Sequence, residues 1–319
     1  MKTRLRISVV GFFAVSAMCL TPAFGQGRGG GRGGNQAPDG PTPKLANGKP
    51  DFSGFWLRPY TPDMSAGAVN MDGKPYPPED PMQRGVALSQ EKIDQCRAAA
   101  AAAAAAAPAA PAAAGGGRGA GGRGGGGGRG GNCVPNSKVL PFTPAGAQDW
   151  KTYTPDNGDY TGACLPFGLM RSINSPDPLE IVQNQNFFAE LFEQNTWFHL
   201  VPIDGRPHNK DVPSWFGDSV GHWEGDTLVI ETNNFNGRTR LDTNGHPHSD
   251  SLVLTERWTR PTQNVINYEM IIHDPKFYTE DWKNVRTFNL RNDQHIMEYS
   301  CEENNKALYE GRIKAPKYD

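Results

Sequence analysis

Leu252-Val-Leu-Thr-Glu-Arg-Trp-Thr259 and Asn264-Val-Ile-Asn-Tyr-Glu-Met-Ile-Ile-His273 decide the fold class. In the second, Ile266, Tyr268, Met270 and Ile272 fall on one face of an extended chain, and Val265, Asn267, Glu269, Ile271 and His273 on the other, because successive side chains of a strand point to opposite sides. In the first, Leu252, Leu254, Glu256 and Trp258 share a face against Val253, Thr255, Arg257 and Thr259. Pro261-Thr-Gln263 supplies a turn between them, so the pair reads as neighbouring antiparallel strands. One face of each strand mixes apolar and ionisable residues. That suits a barrel lumen with a ligand, and it equally suits a solvated outer face.

Working outward, strand composition or alternation recurs at 179–185, 187–193, 196–202, 218–223, 227–233, 285–290 and 296–301, with turn signals such as Asn244-Gly245 and Asn292-Asp293 between them. Asp51-Phe-Ser-Gly-Phe-Trp-Leu57 reads as an earlier strand, and 88–96 as a short helix capped by Ser89. No stretch of ten or more residues sustains a 3.6-residue period. The expectation is a mainly β protein, an antiparallel β-barrel or strongly coiled sheet, since closure removes the exposed edges of a long sheet.

Composition bounds the rest. A mean hydropathy of -0.60 excludes a chain of several membrane helices. The formal charge of -2 becomes -11 without Lys2, Arg4, Arg6, Arg28, Arg32, Arg97, Arg118, Arg123 and Arg129, all of which lie in a leader or in Gly-rich tracts. So acidic a body does not suit nucleic acid. The arginines of 117–124 resemble RNA-binding RGG repeats but lack interleaved aromatics. The basic start followed by Ile7 to Leu20 and by Ala23-Phe-Gly25 reads as a secretory signal with cleavage after Gly25, which implies a periplasmic or secreted protein without a membrane span. Residues 26–50 then read as a flexible leader, 51–96 as the N-terminal part of the fold, 97–132 as a disordered Ala/Gly/Arg insert, and 133–319 as a β-rich domain.

Removing the leader leaves Cys96, Cys133, Cys164 and Cys301, an even set that reads as two disulfides in an oxidising compartment. Three connectivities are open. Cys96–Cys133 with Cys164–Cys301 is favoured, because the first bridge brackets the insert and the second ties the start of the β-rich region to its last strand.

Seven histidines cluster between 199 and 295, and Asp204-Gly-Arg-Pro-His208 repeats as Asn244-Gly-His-Pro-His248, each placing a His after a turn at a sheet rim. His246, His248 and Asp250 sit at i, i+2 and i+4, one side of an extended chain, and form a candidate site for a divalent transition metal. Pro247 perturbs that regularity. Asp218 and His222 flank the segment entering a strongly apolar strand, and with His248 and Asp250 returned by the long loop 236–249 they make a candidate acid–base cluster. Ser219 lacks the Gly-x-Ser-x-Gly elbow of a hydrolase nucleophile. Trp215, Trp223, His208 and Arg206 are candidate ligand contacts, although large aromatics also serve simply as core.

Gly221-His-Trp-Glu-Gly-Asp-Thr-Leu-Val229, together with Asp51 to Trp56 and Asp204 to His208, resembles a large family of secreted bacterial proteins of unassigned activity; Gly54-Phe-Trp56 is also similar to the Gly-x-Trp of a lipocalin first strand. These resemblances imply a lipocalin-like barrel and no particular reaction. Three functions fit the sequence: a secreted barrel binding a small, partly apolar molecule; an enzyme on that scaffold doing hydrolase, lyase or isomerase chemistry; or a structural protein of the envelope.

Overall fold

Alternating side chains and short turns build this chain into a wall of antiparallel strands. The computed structural model describes residues 39–78, 137–153, 160–209, 211–303 and 305–313. In chain order the strands are β1 (Gly54–Leu57), β2 (Ala68–Asn70), β3 (Leu179–Gln183), β4 (Phe187–Phe192), β5 (Phe198–Pro202), β6 (Asp218–Glu224), β7 (Thr227–Asn233), β8 (Val253–Thr262), β9 (Val265–His273) and β10 (Trp282–Leu290). They are ordered β5-β4-β3-β1-β10-β9-β8-β7-β6, with β2 added beside the start of β10. The sheet curls into a nearly closed barrel. Its two edges, β5 and β6, approach each other without pairing through a backbone ladder.

The period-2 pattern sets the inside. Ile266, Tyr268, Met270 and Ile272 of β9 are fully buried, as are Leu254, Glu256 and Trp258 of β8, whereas the alternate residues face outward. β8 continues through Pro261 after a register shift between Thr259 and Thr262, so the turn to β9 is tighter than expected. One part of the interior is packed with rings: Phe52, Phe188, Trp223, Trp258, Tyr268 and Phe288 lie with centroids 4.6–6.4 Å apart. Each such ring contributes about 2–3 kcal/mol by leaving water.

At the seam, a Cβ on Gly221 would lie 2.6 Å from Ile203 Cγ2, so only glycine admits this approach of the chain beyond β5 to β6. Short helices α1 (Pro144–Thr152), α2 (Leu169–Ile173) and α3 (Lys306–Tyr309) lie outside the strands. α1, unforeseen in the sequence, starts where Thr143 caps Gly146 N–H and Pro144 takes the first turn.

The Cys164–Cys301 bridge is present, with a Cα–Cα distance of 5.5 Å. The strand expected at 296–301 is not: the Ile296 and Met297 N–H groups are taken by the Glu180 and Glu193 carboxylates instead of a neighbouring strand. The expected signal segment, helix at 88–96, disordered insert and Cys96–Cys133 bridge all fall outside the described residues. Among the described residues no helix is long and apolar enough to cross a membrane.

Candidate functional site

Alternation on the inner faces brings ionisable residues into the lumen beside the rings. Glu190 follows Phe188 and precedes Phe192 on the inner face of β4, and the register sets it directly opposite His199 of β5. His199 Nδ1 lies 2.7 Å from Glu190 Oε2, and His199 Nε2 lies 2.6 Å from Ser219 Oγ on β6. Ser219 shares a 2.7 Å hydrogen bond with Thr232, its register partner on β7. On the other side Tyr268 donates to Glu256 Oε1 at 2.8 Å, and Tyr268 faces Arg286 across β9 and β10. Arg58, just past β1, donates to the Asp177 carbonyl and to Ser175 Oγ. Arg286 donates to Asn284 Oδ1 and Asn174 Oδ1.

Four of these side chains retain a buried polar atom without a hydrogen-bond partner: Arg58 Nη1, Glu190 Oε1, Glu256 Oε2 and Arg286 Nη2. Burial holds the two guanidiniums down to about 10, so both stay protonated at neutral pH. Burial, reinforced by the Glu190 charge, raises the Glu256 carboxyl well above the usual range. Burial likewise raises the Tyr268 phenol, with help from both glutamates. These mutual influences tie the groups into one electrostatic cluster.

Apart from Trp223, which joins the interior rings, the site residues singled out in the sequence lie elsewhere. Asp218 and His222 are in β6, as are Ser219, Gly221 and Trp223, but alternation puts the first two outside and the last three inside. A one-residue change of phase reverses the face. Asp218 accepts from His208 Nδ1 and Asn209 N, both at 2.8 Å, while His222 is exposed beside Glu224. His248 is buried in the loop after β7, sharing a hydrogen bond with Thr239 Oγ1 at 2.6 Å and donating to the Ser249 carbonyl. Burial lowers it to about 4, which keeps it neutral. Asp250 is exposed and pairs with Lys276. The four residues have separate partners, and none of these hydrogen bonds or ion pairs joins one of the four to another.

The metal set dissolves for the same reason. His246, His248 and Asp250 do not lie on one regular strand: Pro247 bridges to Arg240 and a turn follows, so the three side chains find different partners. His246 lies against Trp150 and Phe142, which also stack on each other, and bonds Asp242 Oδ2 at 2.7 Å, with Asp63 3.8 Å away. Ligand atoms of Asp63, Asp242 and His246 are close enough for a metal, yet these carboxylates already accept from Ser65, Ser137, Asn244, the Met64 N–H and the His246 N–H. They pin the loops to each other. Glu190, His199 and Glu256 also bring ligand atoms within 4.8 Å of one another. Binding an ion there would break one of the His199 hydrogen bonds beside two guanidiniums.

Among the expected ligand contacts, Arg206 pairs with Asp204 on the surface, Trp215 packs edge-on against Tyr160, and Trp223 stacks on Phe52 under Lys49. His208 and Asp218, expected in different roles, meet as one pair. Glu256 was legible, since it shares a strand face with Leu252, Leu254 and Trp258. The lumen residues Arg58, Glu190, His199 and Arg286 lay hidden because an acid or base on an otherwise apolar strand face carries meaning only once the phase is known, although Glu190 between Phe188 and Phe192 had the same pattern. Comparison with known protein families, characterised proteins and solved structures finds no match.

Proposed function

We propose that this protein is a small-molecule-binding β-barrel whose ligand occupies the polar part of the lumen. The supporting observation is the convergence of Arg58, Glu190, Glu256 and Arg286, each buried and each with one polar atom lacking a partner. Leaving a buried donor or acceptor unsatisfied costs roughly 1–3 kcal/mol. Four together amount to a large part of the 5–15 kcal/mol by which a domain is typically stable, and a ligand with matching groups relieves that cost. The adjoining rings, Trp258 and Phe188 among them, suit a partly apolar body. The leader and the family resemblance support a periplasmic or secreted setting, for which an intact mass beginning near Gln26 is the check.

A thermal-shift panel of small carboxylates, amines, amides, alcohols and sugars tests the reading. A ligand at about 100 times its Kd adds roughly 2.7 kcal/mol of stability. One responding class, with the response lost in Arg286→Gln, supports it. A flat panel at millimolar concentrations overturns it.

One observation favours a second reading, as an enzyme. Glu190, His199 and Ser219 form a carboxylate–imidazole–hydroxyl relay of 2.7 and 2.6 Å, the order used in hydrolytic acid–base catalysis. Labelling of Ser219 by a fluorophosphonate, abolished in His199→Gln, would establish an activated nucleophile; an unlabelled wild type rejects it.

A further inference from the structure

We infer that the lumen ligand carries a single carboxylate head, gripped jointly by Arg58 Nη1 and Arg286 Nη2; this rests on the lumen being the ligand site and names the chemical class it takes. The two guanidiniums are held by adjacent residues at the end of α2: Ser175 Oγ accepts from Arg58, and Asn174 Oδ1 from Arg286. Asn174 is itself fixed, donating through Nδ2 to the Leu241 carbonyl at 2.6 Å. Asp177 O and Asn284 Oδ1 occupy further N–H groups, leaving each guanidinium with one unpartnered terminal nitrogen. Both side chains are more than nine-tenths buried. Each guanidinium thus offers one terminal nitrogen still able to donate, and a carboxylate offers two oxygens to accept.

The surrounding charges point the same way. Among the described residues no carboxylate oxygen bonds either guanidinium. Glu190 spends Oε2 on His199, and Asp242 is taken by His246 and the Met64 N–H. Asp177 acts on Arg58 electrostatically, while its carbonyl, not its carboxylate, makes the contact. Burial and the Glu190 charge raise the Glu256 carboxyl well above its usual range, which disfavours it as a compensating negative charge, and its Oε2 has no hydrogen-bond partner. A cationic head would meet two guanidiniums. A dianion would meet Glu190 as well as its own larger desolvation cost.

The test is calorimetric titration at fixed ionic strength with acetate, propionate and benzoate, against acetamide, propionamide, benzamide and propylamine, with tryptophan fluorescence recorded in parallel. The expected result is at least tenfold tighter binding of a carboxylate than of its amide, and at least tenfold weakening in each of Arg58→Met and Arg286→Met. Binding of an amide or the amine without the carboxylates keeps the lumen as a ligand site and overturns the anion assignment. Silence from the whole panel overturns the lumen reading itself. Carboxylate binding unchanged in both folded arginine variants places the anion elsewhere and also overturns the assignment. Should the arginine variants not fold, the carboxylate–amide comparison on wild type stands alone, with Trp258→Phe as locator: the fluorescence response must shrink while the binding heat persists.

Discussion

His199 Nε2 lies 2.6 Å from Ser219 Oγ across the seam where β5 and β6 share no backbone ladder. A side-chain bond therefore does there what main-chain bonds do between the other neighbouring strands, and it sets the His199 end of the lumen cluster at the unpaired seam. His199→Ala and Ser219→Ala should each cost about 1–3 kcal/mol. Their effects should fall short of additive by 0.5 kcal/mol or more in a urea-denaturation double-mutant cycle; strict additivity would mean that the bond contributes nothing to closure.

Gly221 makes a second demand on the same seam. Gly221→Ala would drive a methyl to 2.6 Å from Ile203 Cγ2 and 3.3 Å from Val201 Cγ1. A loss of about 1–3 kcal/mol is expected. Adding Ile203→Ala should recover part of it, which chemical denaturation of the single and double variants will measure.

His248 sets an acid limit on stability. Its usual value of 6.5 falls to about 4 in the fold because burial disfavours the charged ring. The neutral form is the one the fold accepts, so the full contribution is present above 6.5 and is lost as pH falls from 6.5 towards 4. The loss amounts to about 3 kcal/mol over that window. His248→Gln, which cannot charge, should show a correspondingly flatter profile when unfolding free energy is measured at pH 7, 6, 5 and 4. Parallel profiles would remove His248 as the source.

The Cys164–Cys301 bridge spans 137 residues of sequence. In the chain-entropy account a loop of that size adds about 5 kcal/mol. Replacing both cysteines with serine should lower the urea midpoint substantially while leaving the native far-UV spectrum unchanged below the transition. An unchanged midpoint would show that the bridge is idle.

Much of the wall was legible in the chain. Asp218 to Glu224 and Thr227 to Asn233 announce themselves by alternation around a Gly-Asp turn, and β8 and β9 by facing rows of Leu, Trp, Ile and Tyr. β2 was too short to carry a pattern, and 296–301 had strand composition without a partner strand. The site was harder to read. His246 and His248 draw the eye by spacing, yet each serves loop packing, and Asp218 was one residue out of phase with the inward Ser219. What marks the lumen cluster is the meeting of β4, β5, β6, β8 and β10, a non-local fact that no local motif encodes.

The place of β1 has a consequence for how this molecule comes into being. Its two partners are β3 and β10, so Gly54–Leu57 pairs with segments more than a hundred and more than two hundred residues downstream. The earliest of the described strands is the hinge pin joining two meanders, β3 to β5 and β6 to β10, that would otherwise be separate sheets. A chain emerging N-terminus first must carry that strand unsatisfied until residue 290 is available, because β10 completes its pairing. Completion of the sheet is thereby delayed until β10 has emerged, the high-contact-order regime in which assembly is slow and early exposure hazardous.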